Sequence, residues 1–376
     1  MSTNTSIEWC DATWNPIAGC TRVSEGCRNC YAERMAHRFA GPGQPYAGLT
    51  VLANGHPQWS GRVSFFEKRL LDPLKWKKPR RIFVNSMSDL FHPNVQDEWI
   101  DRIFAVMALC PQHTFQVLTK RPKRMVAYLA DGAVRRRIAR EANAMMRSDR
   151  RAADSDALAS VFLWSRSAHA VPGEWVNYLS GISDREWPLP NVQLGVSVED
   201  QKTVDERIPL LLQTPAALRF VSVEPQLGAV DLSRYLSFQH EDEYEEVGQK
   251  ITNPDQALAR TMNRAFGGIP LHDSWVRPLD WVICGGESGP GARPMHPEWV
   301  RGLRDQCVNA GVPFFFKQWG EFTSEQCPGV EVRLDSLQPG QCVTSGVKGH
   351  HTLFTRVGKK AAGALLDGRE WKEFPQ

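Results

Sequence analysis

The chain has 376 residues, a formal net charge of +3 and 23% charged side chains. That length can bury a large core and permits one big α/β domain or two smaller ones. No apolar run approaches a membrane span, the opening MSTNTSIEWCDATWNP has no basic start followed by an apolar stretch, and nine cysteines, an odd number, fit a reducing compartment, so the expectation is a cytoplasmic protein with no membrane partner.

The segment ATWNPIAGC reads as a first strand. It leads into GCTRVSEGCRNCYAE, which places Cys20, Cys27 and Cys30 inside eleven residues at spacings x6 and x2. The x2 step is a tight turn that points two sulfurs at one place, and the longer step is a loop able to wrap the other side of a cluster. Three cysteines leave one iron of a 4Fe–4S cluster open to a substrate or cofactor. Two other readings stay open. Zinc prefers a closed shell of four ligands and would recruit Cys10, and free thiols are often small buried hydrophobes. Cys110, Cys284, Cys307, Cys327 and Cys342 are scattered singly and read as ordinary thiols.

Short apolar runs then recur along the chain. RIFVNSMSDLF begins at Arg81, FQVLTKRP at Phe115, VQLGVSVED at Val192, RFVSVEPQLG at Arg219, DWVICGGESGPG at Asp280 and PFFFKQWGE at Pro313. Their near-continuous apolarity predicts strands buried on both faces, as in parallel sheets. Helical spacing marks the stretches from Asn94, from Val198 and from His296, the last ending at Gly311 as a C-cap. The alternation of strand and helix is that of a barrel or a doubly wound sheet. Such folds gather their sites at the C-terminal strand ends. Here those ends carry Ser86, Ser88 and Asp89; Thr119 and Lys120; Ser197 and Glu199; Glu224; Glu287; Lys317 and Gln318.

Two segments interrupt the rhythm, at about 126–188 and about 235–278, and read as largely helical insertions. The first is Arg- and Ala-rich and then holds Trp164, Trp175 and Trp187; the second contains the acidic run HEDEYEE at 240–246. Positive charge concentrates in KWKKPRR at 75–81, KRPKR at 120–124 and the Arg-rich stretch at 135–151. Such clusters steer polyanions, although any one of them alone more often forms a solvated helix face. From about 320 onward the chain is Gly-rich and polar, ending in VGKKAAGALLDGREWKEFP.

The SIEW opening, WNPIAGCTRVSEGCRNCYAE, VNSMSDLFH, LTKRP, LGVSVED, SVEP, GGESGPGARP, FFFKQWGE and the VGKKAAGALLDGREW ending together resemble the phage-associated three-Cys-motif proteins. That group is similar to the radical S-adenosylmethionine superfamily, and the likeness covers nearly the whole chain apart from the two insertions. The resemblance implies a partial (β/α) barrel of six to seven parallel strands over 1–320, with 321–376 packed on it as an extension. It implies a 4Fe–4S cluster on Cys20, Cys27 and Cys30, with S-adenosylmethionine on the open iron. It also implies an external electron donor and a 5′-deoxyadenosyl radical that abstracts hydrogen from a substrate.

The sequence departs from the superfamily pattern in places. The usual first spacing is x3, and an aromatic residue usually precedes the last cysteine, where Asn29 stands here; Tyr31 follows instead. The usual glycine-rich strand-end motif is replaced by Ser86-Met87-Ser88-Asp89, so Ser88 and Asp89 are the candidates for the cofactor amino group. Lys120 would pair with the cofactor carboxylate, and Ser197 and Glu199 would meet its ribose. These residues and Glu224 are expected to line one cavity beside the cysteine loop. Glu287, Lys317 and Gln318 are weaker substrate candidates. DNA or a nucleotide is the expected substrate, with Arg121, Lys123 and Arg124 facing outward to phosphates, and with Trp59, Trp76 or Trp164 available to stack on bases. The rival functions are a zinc-stabilised nucleic-acid-binding protein and a cluster-bearing partner-binding protein without catalysis.

Overall fold

The computed structural model describes residues 5, 7–151, 187–237, 278–327, 340–345 and 351–376. Most of both expected insertions, with Trp164, Trp175 and the acidic run at 240–246, lies outside the described residues.

Seven strands make one sheet in chain order: β1 (Ala12–Trp14), β2 (Arg81–Val84), β3 (Thr114–Thr119), β4 (Val192–Val198), β5 (Leu218–Val223), β6 (Trp281–Cys284) and β7 (Phe314–Phe316). The sheet is parallel, with register pairs such as Trp14 with Val84, Val84 with Val117, Cys284 with Val223 and Cys284 with Phe316. All six strands read from apolar runs are present, β1 is the seventh, and the fold is the expected partial (β/α) barrel. Every residue of β6 and of β7 is buried, as strands covered on both faces must be.

The chain divides into two compact units. The first comprises Met1–Arg22, Ala32–Gly195 and Leu210–Arg219; the second comprises Val23–Tyr31, Val196–Pro209 and Phe220–Gln376. Cys20 belongs to the first unit, and Cys27 and Cys30 belong to the second.

In the first unit, the expected strand ATWNPIAGC is two pieces. β1 stops at Trp14, and Ile17–Ala18 pairs antiparallel with Ser64–Phe65. Pro16 has no N–H to donate to a neighbouring strand, which interrupts the ladder between the two pieces. Trp14 is fully buried against Phe115 of β3, ring centroids 5.7 Å apart. Helix α1 (Tyr31–Arg38) follows the cysteine loop directly. Helix α2 (Asp97–Ala108) buries Ile100, Ile103, Phe104 and Met107 at helical spacing and carries Asp97 and Glu98 in its first turn, where carboxylates favour the dipole. Helices α3 (Pro122–Leu129) and α4 (Val134–Arg151) follow β3.

Helix α5 (Gln201–Leu212) follows β4. In the second unit, helix α6 (Pro297–Ala310) starts on His296, whose ring accepts from the Glu298 N–H, and stops at Gly311 with φ of 69°. That is the left-handed C-cap expected from sequence. The C-terminal region adds a three-stranded antiparallel sheet of β8 (Phe322–Cys327), β9 (Gln341–Ser345) and β10 (His351–Arg356), with β10 in the middle. Phe322 and Phe354 pack with Ala292. The last residues run beside β7: Phe316 N–H donates to Trp371 O at 2.8 Å, and Phe314 N–H to the Glu373 carboxylate at 3.1 Å.

Candidate functional site

In the first unit, the candidate residues gather where β2 and β3 end. Gly19 N–H donates to Met87 O at 3.2 Å, and Ser88 Oγ donates to Ile17 O at 3.1 Å. These bonds fasten the chain just before Cys20 to the segment after β2. Gly19 has φ of +97°, and a Cβ there would lie 2.1 Å from Arg62 O, so this close approach admits only glycine.

Asp89 sits in the middle of this arrangement. Its Oδ1 accepts from Thr119 Oγ1 at 2.7 Å and from Phe91 N–H at 3.0 Å; its Oδ2 accepts from Lys120 N–H at 3.1 Å and Arg121 Nη1 at 2.9 Å. Arg121 then reaches the cysteine loop. Its Nη2 donates to Thr21 O at 2.9 Å and Thr21 Oγ1 at 2.7 Å, and its Nη1 lies 3.6 Å from Cys20 Sγ. The pair is well buried, Arg121 at 11% and Asp89 at 8% side-chain exposure. His92 Nε2 stands 3.1 Å from the Thr21 hydroxyl. Burial, and then the Asp89 charge, push the Cys20 thiol up to about 12 against the opposing pull of Arg121. Burial and the Arg121 charge push His92 down to about 4, so its ring is neutral at neutral pH.

The second unit holds the short turn Glu25–Cys27 and the residues after it, where Cys30 N–H donates to Cys27 O at 3.3 Å. Glu199, just past β4, accepts from Ser24 Oγ at 2.9 Å and from Arg207 Nη1 at 3.1 Å. Arg207 projects from α5 and also donates to Ser197 O at 2.6 Å. Gly26 lies flat against Glu199, and a Cβ there would fall 2.4 Å from its Cγ. On the other side, Glu287 accepts from Asn29 Nδ2 at 3.0 Å and from Arg293 Nη2 at 2.7 Å, while Arg293 Nη2 also donates to Glu25 O at 2.9 Å. Burial alone would raise the Glu287 carboxyl, but the bonds from Arg293 and Asn29 outweigh it and hold it below the ordinary carboxylate range. A separate pair joins the ends of β5 and β7: Lys317 Nζ is 3.0 Å from Glu224 Oε1. Gln318 Nε2 donates to Gly286 O at 2.8 Å, and its carbonyl accepts from Gly320 N–H.

The strand-end residues named from sequence fall into separate groups, and Ser86 donates to Asn15 Oδ1 at 3.2 Å. Ser88, Asp89, the Lys120 backbone and Arg121 meet at Cys20. Ser197 and Glu199 meet at the turn before Cys27, Glu287 meets Asn29 beside Cys30, and Glu224 meets Lys317. The outward orientation expected for Arg121 and Arg124 is corrected. Arg121 turns inward to the buried Asp89 carboxylate. Arg124 donates to His92 O, to Val95 O and, at 2.8 Å, to Asp97 Oδ1. A guanidinium fork beside buried carbonyls and carboxylates satisfies them better than water would. Lys123 is exposed, as expected.

Thr21, Ser24, Asn29, His92, Arg207 and Arg293 were not among the sequence candidates. Arg207 and Arg293 had a usable signal, since each lies a few residues beyond a strand-end glutamate on the next helix or loop.

The donor set determines which metal group suits the loop. Asp89, Glu199 and Glu287 are each paired with an arginine, and the three cysteines are the soft donors of the loop. Soft thiolates select iron–sulfur clusters or zinc, and a bound metal deprotonates a thiol whatever its resting value. Among the described residues, no three His, Cys, Asp or Glu side chains are gathered as around one metal ion. Cys10 is buried, with its thiol 3.7 Å from Ile7 O.

The sequence model of a protein family described as "Protein of unknown function (DUF5131)" matches residues 4–375. No curated protein and no solved structure matches the chain.

Proposed function

The chain belongs to this DUF5131 family, and from the resemblance of its motifs we propose that it is a radical S-adenosylmethionine-type enzyme of the three-Cys-motif kind. The observation that carries the reading is the loop itself. Three cysteines stand inside eleven residues, and acid–arginine pairs beyond the ends of β2, β4 and β6 brace their neighbours. Cys20, Cys27 and Cys30 would hold a 4Fe–4S cluster. Such a cluster, reduced by an external electron donor, would supply the electron for cleaving S-adenosylmethionine to methionine and a 5′-deoxyadenosyl radical.

The chain's own residues position and shield. Asp89 and Glu199 orient the loop through Arg121, Ser24 and Arg207. Ser88, Lys120, Ser197 and the Glu224–Lys317 pair are the proposed contacts for the cofactor's polar groups. The proposed substrate class is DNA or a nucleotide in the cytoplasm. With Arg121 and Arg124 committed inward, exposed cations available to phosphates among the described residues include Lys77, Lys78, Lys123, Arg136 and Arg140.

A second reading is a cluster-bearing partner-binding protein without catalysis. One observation favours it: Asp89, Glu199 and Glu224, all expected to meet the cofactor, are each ion-paired inside the protein.

Anaerobic reconstitution followed by iron and sulfide analysis and a 5′-deoxyadenosine assay separates these readings. The proposal expects iron and sulfide in the parent, their loss in C20A, C27A and C30A, their retention in C10A, and release of 5′-deoxyadenosine. Stoichiometric zinc in place of iron, or iron loss in C10A, overturns the cluster. Iron without 5′-deoxyadenosine leaves the non-catalytic reading. DNA binding that is absent at low salt, or unchanged in K123A/R136A/R140A, removes the nucleic-acid substrate.

A further inference from the structure

Arg121 orients the loop, but its contact with a cysteine sulfur is not used by the proposed function. Its guanidinium is anchored from two directions. Asp89, itself fixed by Thr119 and by the N–H groups of Phe91 and Lys120, holds Nη1 at 2.9 Å. The carbonyl and hydroxyl of Thr21 hold Nη2 at 2.9 Å and 2.7 Å. Those contacts leave Nη1 3.6 Å from Cys20 Sγ. A guanidinium serving only as an ion-pair partner would need the Asp89 contact alone. This one spans from a strand-end carboxylate to the backbone next to a cysteine, and so delivers a permanent positive charge and an N–H to one sulfur.

We propose that Arg121, held by Asp89, is a positioning residue for the cysteine loop that donates to the Cys20 sulfur and raises the reduction potential of the cluster this sulfur holds. The inference rests on the cluster reading above. Hydrogen bonds to the sulfurs and local net charge are two of the determinants of a cluster's potential. A nearby cation and an N–H donor stabilise the reduced state, which carries one more negative charge. Removing both makes the cluster harder to reduce. Arg121→Lys keeps the charge but loses the fork that reaches Asp89, Thr21 and the sulfur together.

The test compares the full-length parent, R121K and R121Q after anaerobic reconstitution. It measures iron content, thermal melting and the cluster's potential by mediated redox titration followed by electron paramagnetic resonance. The expected order is parent highest, R121K intermediate and R121Q most negative, with an altered resonance signal in R121Q. Equal potentials and signals in iron-loaded parent and variants overturn the inference and leave the cluster reading standing; a melting change alone would then mark Arg121 as a structural partner of Asp89. If R121Q does not fold, R121K decides: a potential equal to the parent's overturns the inference. A parent that binds no iron overturns the cluster reading, and this inference falls with it.

Discussion

The cysteine loop is held in two different ways. At Cys20 the first unit sends one guanidinium to the sulfur itself, 3.6 Å away, and to the next residue. Around Cys27 and Cys30 the second unit holds the neighbours instead: Glu199 takes the Ser24 hydroxyl, Glu287 takes the Asn29 amide, and Arg293 takes the Glu25 carbonyl. The first mode brings a positive charge and an N–H to a sulfur; the second fixes where the turn lies. The same pieces, an acid at a strand end and an arginine beyond it, serve both purposes, and the difference lies in what the free end of the pair touches.

The largest expected effect breaks the second mode at its most buried point. Glu199 and Arg207 are 1% and 7% exposed. Removing one member of such a pair strands the other charge, at a cost of about 3–5 kcal/mol. E199Q should therefore lower the urea midpoint strongly and free Ser24. A shift no larger than that of a surface substitution would show that the pair does not anchor the turn. The double variant E199Q/R207M should recover part of the loss, because no unpaired charge is left.

Next in size is Gly26→Ala. The added Cβ would meet Glu199 Cγ and Oε1 at 2.4 Å. Glu199 is pinned by Arg207 and has little freedom to retreat, so crowding of about 1–3 kcal/mol is expected. Gly43→Ala is a useful contrast. A Cβ there meets nothing within 4 Å, but φ is +73°, so its cost is backbone strain alone. If the proposed cluster forms, G26A should weaken iron retention and G43A should not. Equal iron retention in both would mean that the turn tolerates displacement.

Much of this architecture was legible in the sequence. The six apolar runs became β2 to β7, because strands buried on both faces need continuous apolarity. Gly311 ended α6 because a left-handed cap favours glycine. Strand-end acids were legible as positions, but their roles were not. Asp89 is 32 residues from Arg121, so only the parallel pairing of β2 with β3 brings them together. The run KRPKR misled because it reads as uniform charge. Pro122 opens α3 with Arg121 as its N-cap, and the helix then sends Arg121 inward, Lys123 to solvent and Arg124 to the carbonyls before α2.

The smallest expected effect is a pH dependence, which tests whether the Asn29 side of the turn is held electrostatically. The Glu287 carboxyl lies below its ordinary value of 4.5 in the fold, held there by Arg293 and Asn29 against the opposing effect of burial. A depressed carboxyl stabilises the fold fully above its unfolded value, and that stability is lost as pH falls through the lower folded value. E287Q removes the titrating group while keeping a polar side chain of the same size. The melting-temperature gap between parent and E287Q should therefore be constant at neutral pH and should shrink once pH falls below 4.5. C20A serves as the control, since it leaves Glu287 and its partners in place and should follow the parent's acid slope. A gap that stays constant through the acid range would mean that Glu287 holds Asn29 by shape and neutral hydrogen bonding. The contrast between the two modes would then reduce to one charged contact at Cys20 and a buried ion pair at Glu199.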